Sequence, residues 1–205
     1  MTRILDEQNL CFDFTNCPLV SDPVKFDTKT IAGLSSVDFV AETEDCIYFV
    51  EVKDFQNPNA PEERRKADLE TLIAAGREKP ARKKKPATND EFSTVKAELS
   101  AVRDQLSLCE GSAFTSEIGQ KIKDSLLRKY AFGEQITKDI KYLVLINLDN
   151  LGTRERGRLK EKISGHIPTG LNAKDYGSFV SINFDLVDAN QLKKYGITCT
   201  AKEIA

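Results

Sequence analysis

The stretch SVDFVAETEDCIYFVEVKDF, residues 36–55, decides the architecture. Two runs rich in aromatic and β-branched side chains, SVDFVAET and CIYFVEVKDF, are separated only by Glu44 and Asp45, which predicts antiparallel strands joined by a tight hairpin. Residues 46–50 are apolar without a break, as in a strand covered on both faces, so the second strand belongs in the middle of a sheet. Side chains alternate along a strand. Ile47, Phe49, Glu51 and Lys53 therefore share one face, and Tyr48, Val50 and Val52 the other. A turn at Glu44 and Asp45 sets Asp38 roughly opposite Glu51, so that Asp38, Glu51 and Lys53 can meet at the end of an apolar strand. Two carboxylates and an ammonium in such a place are costly to desolvate unless they serve one another or a cation.

Working outward, LCFDFT (10–15) and VKFDT (24–28) read as further strands ahead of the hairpin. Beyond it, residues 57 to about 111 turn charged and Ala-rich and read as a helical insertion, with helices at 61–76 and 90–108. The loop between them, GREKPARKKKPATND, carries two prolines and the basic residues Arg77, Lys79 and Arg82 to Lys85. TSEIGQKIKDSLLRKYAFG (115–133) predicts a helix capped by Thr115 or Ser116, with Ile118, Ile122, Leu126 and Tyr130 on its core face. KYLVLINLD (141–149) reads as a second buried strand, TRERGRLKEKI (153–163) as a charged, exposed helix, and SFVSINFDLVD (178–188) as a strand. The expected fold class is α/β: one domain over residues 1–205, with a mixed central sheet flanked by helices and a charged helical insertion.

Composition sets the outer bounds. The chain is 40% hydrophobic and 30% charged with 7 Pro and 11 Gly, ordinary for a globular protein, which excludes wholesale disorder. No run approaches the roughly 18 apolar residues needed to cross a bilayer, and no signal-peptide pattern opens the sequence, so a cytoplasmic protein without a membrane partner is expected. Five cysteines without a CxxC pair, and a single histidine, His166, argue for reduced structural thiols rather than zinc. A formal net charge of -2 leaves a nucleic-acid partner open, because clustering of basic residues decides binding rather than their sum.

The chemistry follows from the residue types at the end of the hairpin. Asp38 and Glu51 offer hard oxygen ligands suited to Mg²⁺ or Mn²⁺, and the carbonyl of Val52 is a further candidate ligand. Such an ion lowers the pKa of bound water and offsets charge developing on a phosphate, while Lys53 orients the nucleophile and stabilises the transition state. Hydrolysis of a phosphodiester is the expected reaction.

The Asp of SVDFV, the hairpin and the Glu-x-Lys of FVEVKDF resemble the pattern of the PD-(D/E)XK, or restriction-endonuclease-like, nuclease superfamily. That resemblance implies a metal-dependent nuclease acting on nucleic acid, with DNA the expected substrate. It also implies a Lys, Gln or Arg from the helix after the Glu-x-Lys strand, for which Gln120, Lys121 and Lys123 are candidates. Val37 stands where the motif name has proline, and Glu7 is the only counterpart of the acidic residue that many members carry on an earlier helix. The alternative is a catalytically inactive nuclease-fold protein that binds nucleic acid or a protein partner, the charged insertion being the candidate docking segment. Lys121, Lys123, Arg128 and Lys129 are expected to form a basic surface beside the site. Asp27-Thr28-Lys29 and Asp139-Ile140-Lys141 also place an acid two residues before a lysine, but neither ends a buried strand.

Overall fold

The computed structural model describes residues 3–26, 34–56, 112–148, 151, 153–168, 170–173 and 178–202. The expected insertion helices, the basic loop with Arg77, Lys79 and Arg82 to Lys85, and Asp27-Thr28-Lys29 lie outside these residues.

The chain is α/β. Strands β1 (Ile4–Glu7), β2 (Leu10–Asp13), β3 (Val24–Lys25), β4 (Phe39–Glu42) and β5 (Cys46–Asp54) come first. Helix α1 (Ser112–Ala131), strand β6 (Asp139–Asn147), helix α2 (Thr153–Ser164), strands β7 (Gly170–Ala173) and β8 (Ser178–Val187), the short helix α3 (Ala189–Leu192) and strand β9 (Thr198–Ala201) follow. Among the described residues the strands form a six-stranded sheet in the order β3-β4-β5-β6-β8-β7 and a three-stranded sheet, β1-β2-β9. The larger sheet is mixed: β5 runs antiparallel to β4 and parallel to β6, which is parallel to β8.

The hairpin forms in the expected register. Thr43 and Cys46 close the turn through Thr43 N–H donating to the Cys46 carbonyl at 2.9 Å, and the ladder ends at Phe39 opposite Val50. One more step along the two strands puts Asp38 opposite Glu51. All nine residues of β5 are buried, as the continuous apolar run requires of a central strand.

Alternation along β5 and β6 splits the core in two. On one face Ile47 and Phe49 of β5 and Ile140, Tyr142, Val144 and Ile146 of β6 meet Ile118, Ile122 and Leu126 of α1 and Leu159 and Ile163 of α2. On the other, Tyr48, Val50, Val52, Leu143 and Leu145 meet Leu10, Phe12, Phe14, Leu192 and Ile197. Helices α1 and α2 thus cover one face only. The opposite face is covered by the small sheet and the short helix α3. The strands β1 and β9 of that sheet are four residues each and were not legible. Two expectations need correction. Tyr130 is exposed, and α2 is not simply a surface helix, because Leu159 and Ile163 are fully buried. Helix α1 also starts at Ser112, which puts Thr115 inside its first turn rather than at the cap.

Gly119 allows α1 to lie this close to the chain leaving α2. A Cβ at that position would sit 2.5 Å from His166 Cβ and 2.7 Å from the His166 carbonyl oxygen. Gly119→Ala gains about 1 kcal/mol of helix propensity. It also forces overlap with backbone, which cannot swing aside, at about 1–3 kcal/mol. Overlap wins, and chemical denaturation is expected to show a net loss of about 1–2 kcal/mol.

Candidate active site

Glu51 and Lys53 stand near the carboxyl end of β5, on the face that α1 covers. Asp38 reaches them from the residue before β4. Its Oδ2 accepts the Val52 N–H at 2.6 Å, taking over as strand partner where the β4–β5 ladder stops, and its carbonyl accepts the Phe26 N–H at 2.8 Å. An N–H and C=O of one residue leave an extended strand on the same edge, so the Val52 carbonyl faces the side on which Asp38 stands.

Helix α1 closes the site. Lys121 Nζ lies 2.6 Å from Glu51 Oε1 and 3.8 Å from Asp38 Oδ1. Lys53 Nζ lies 3.3 Å from Glu51 Oε1 and 2.8 Å from Glu117 Oε1. Asp38, Glu51, Lys53 and Lys121 are therefore brought together, and Glu117 joins them. Glu117 was missed in the sequence, although its place one helical turn before Lys121 was a readable signal. Gln120 is not brought to the site: it is exposed, and its Nε2 donates to Asp124 Oδ1 at 2.7 Å. Lys123 is exposed as well.

The basic surface expected along α1 does not form as read. Arg128 is buried, with its guanidinium 4.1 Å from the Phe26 ring centroid, and it donates to the Phe26 carbonyl and, at 3.0 Å, to Ser36 Oγ. Lys129 is buried and paired with Glu134. Arg128 acts with Asp124 and Ser125, which accept the backbone N–H of Ser35 and Val37 at 2.9 Å each. Side chains three and four residues apart on α1 thus hold the chain that delivers Asp38. From beneath, the buried Tyr142 hydroxyl donates to the Ile118 carbonyl at 3.0 Å and fixes the turn of α1 between Glu117 and Lys121.

Glu7 ends a strand rather than a helix. It pairs with Lys25 at 2.7 Å and lies close enough to Asp38 to add to the negative field there. Asp139 opens β6 and accepts the Ser181 N–H at 2.9 Å, which makes it a strand anchor. The thiols of Cys11, Cys17, Cys46 and Cys199 are free.

Burial, reinforced by the charge of Glu51, pushes the Asp38 carboxyl up to about 8 against the pull of Lys121. Burial also raises Glu51, with Lys121 and Lys53 opposing. For Lys121, burial works against the charge, but Glu51, Asp38 and Glu117 outweigh it and hold the ammonium above its usual range. The pH dependence follows. Between the ordinary aspartate value of about 4 and about 8, folded Asp38 keeps a proton that the unfolded chain has released, so stability falls as pH rises across that window. Glu51 contributes with the same sign. Melting temperatures of the metal-free protein are expected to fall from pH 5 to pH 8, and those of Asp38→Asn to fall less; equal slopes would contradict the assignment.

The donor set suits a hard divalent cation. Glu51 is fully buried, and its Oε2 has no hydrogen-bond partner among the described residues. A cation resolves the desolvation of such an atom. Among the described residues no group of three or more acidic, histidine or cysteine side chains is gathered to hold an ion. Two carboxylates match the way Mg²⁺ is commonly bound, with water and substrate oxygens completing the octahedron.

Compared with known proteins, the chain matches no family model, no curated protein and no solved structure. Among the described residues no helix is long and apolar enough to cross a membrane.

Proposed function

We propose that the chain is a divalent-metal-dependent nuclease of the restriction-endonuclease-like, PD-(D/E)XK kind, hydrolysing phosphodiester bonds in DNA in the cytoplasm. The observation that carries this reading is the register that sets Asp38 opposite Glu51, with Lys53 on the same face as Glu51 and Lys121 arriving from α1.

Asp38 and Glu51 would hold Mg²⁺ or Mn²⁺, with the Val52 carbonyl beside them. The ion supplies Lewis acidity toward a phosphate oxygen and a more acidic bound water. The chain's own residues do the rest. Lys53, held between Glu51 and Glu117, presents an ammonium at a fixed place for the attacking water and for the charge that develops on phosphate. Glu117 orients Lys53. Val52 N–H keeps Asp38 Oδ2 aimed and leaves Oδ1 toward Lys121.

The test is cleavage of plasmid, linear duplex, single-stranded DNA and RNA with Mg²⁺ or Mn²⁺, beside Lys53→Ala and Asp38→Ala proteins shown to be folded. Wild-type activity lost in both variants is expected. Intact substrates throughout would remove the reading and favour the inactive, binding form of the fold. The pairing of Glu51 with two lysines supports that form, because it already balances the buried charge without an ion.

A further inference from the structure

The cation that faces Glu51 and Asp38 is an amino group of the chain itself. We propose that Lys121 is a built-in competitor for the divalent ion: its ammonium holds the cation position between the two carboxylates in the metal-free protein and leaves it when the ion binds. The inference rests on the metal-site reading of Asp38 and Glu51.

Charge and distance favour the exchange. Lys121 Nζ is 2.6 Å from Glu51 Oε1, and a Mg²⁺ ion at about 2.1 Å from the partnerless Oε2 of the same carboxylate would share its buried place. The two cations would then be neighbours in a buried place where repulsion is poorly screened. One of them has to move. Lys53 is the worse candidate, since Glu117 holds it at 2.8 Å and its side chain is only 6% exposed. Lys121 is 16% exposed, and its second contact, to Asp38, is a loose 3.8 Å.

Lys121 also has somewhere to go. Glu117 lies one turn earlier on α1, at the favourable spacing for a glutamate four residues ahead of a lysine, and its field already acts on Lys121. Solvent, and a phosphate approaching from it, offer the other destination. The exchange has a thermodynamic consequence. The apparent affinity for the ion is reduced by the fraction of molecules with Lys121 in place, and a phosphate that draws Lys121 outward restores it. Nucleic acid and metal then favour each other's binding to the same degree.

The test uses the intact wild-type chain. Lysines are acetylated with limiting acetic anhydride, with and without Mn²⁺, and the modification at each is read by mass spectrometry; calorimetry under the same conditions reports whether the ion binds. With the ion bound, acetylation of Lys121 is expected to rise about tenfold, the span between a mostly paired and a mostly released ammonium. The exposed Lys194 is expected to stay unchanged. If the ion binds and Lys121 labelling stays level or falls, the exchange is overturned while the metal site stands. If calorimetry detects no ion, the exchange and the metal site fall together.

Discussion

Glu51→Gln is expected to lower metal-dependent cleavage by about 10³-fold and to leave the fold nearly as stable as before. The two halves of this result have different causes. Activity falls because the amide cannot serve as an anionic ligand at the one fully buried position where Asp38, Lys53 and Lys121 converge. Stability changes little because opposing effects meet. The substitution leaves two ammonium groups short of a carboxylate, yet Lys53 keeps Glu117, and Asp38, freed from the charge of Glu51 that helps hold its proton, ionises more readily beside Lys121. It also removes a desolvated charge whose Oε2 had no partner among the described residues. Replacing a whole buried ion pair is often neutral while removing one partner is costly, so the small change depends on Glu117 and Asp38 keeping the two ammonium groups paired. Cleavage kinetics and a urea titration on the same preparation check both halves. Retained cleavage would remove Glu51 from the metal site, whereas unfolding would make the carboxylate structural.

Arg128→Ala is expected to cost about 3–4 kcal/mol, or roughly 10 °C in melting temperature for a chain of this size. The substitution deletes a buried guanidinium stacked on Phe26, worth about 2 kcal/mol when desolvated. It also removes charged hydrogen bonds to the Phe26 carbonyl and Ser36 Oγ, at about 1.5–3 kcal/mol each where no replacement donor exists. Removal of the Arg128 Nε, which lacks a partner among the described residues, offsets part of this. Arg128→Lys is expected to recover little, because an ammonium neither stacks as a plane nor forks to two acceptors. Thermal melts of the three proteins decide it. A loss below about 1 kcal/mol would show that Asp124 and Ser125 suffice to hold the segment leading to Asp38.

The hairpin and its register were legible because two independent patterns agree on them: the unbroken apolar run at residues 46–50, and a turn with room for only two residues. The convergence of Asp38, Glu51 and Lys53 followed from that register alone. Lys121 was legible only as one of several polar residues on a helix, since spacing cannot say which lysine meets the sheet. Arg128 and Lys129 read as surface charge because cations are rarely buried, and only the stack on Phe26 and the pair with Glu134 reverse that rule. Strands β1 and β9 were illegible for another reason: ILDE and TCTA are too short and too polar for alternation to stand out. Their place is set by Leu5 and Cys199 packing under the far face of the large sheet.

The chain leaves the large sheet just past β5, at Gln56, and is next described entering α1 at Ser112. Both points belong to the walls of the site, since Lys53 stands shortly before the first and Lys121 about two and a half turns beyond the second. Residues 57–111 therefore join, in the sequence, the strand that carries Lys53 to the helix that carries Lys121.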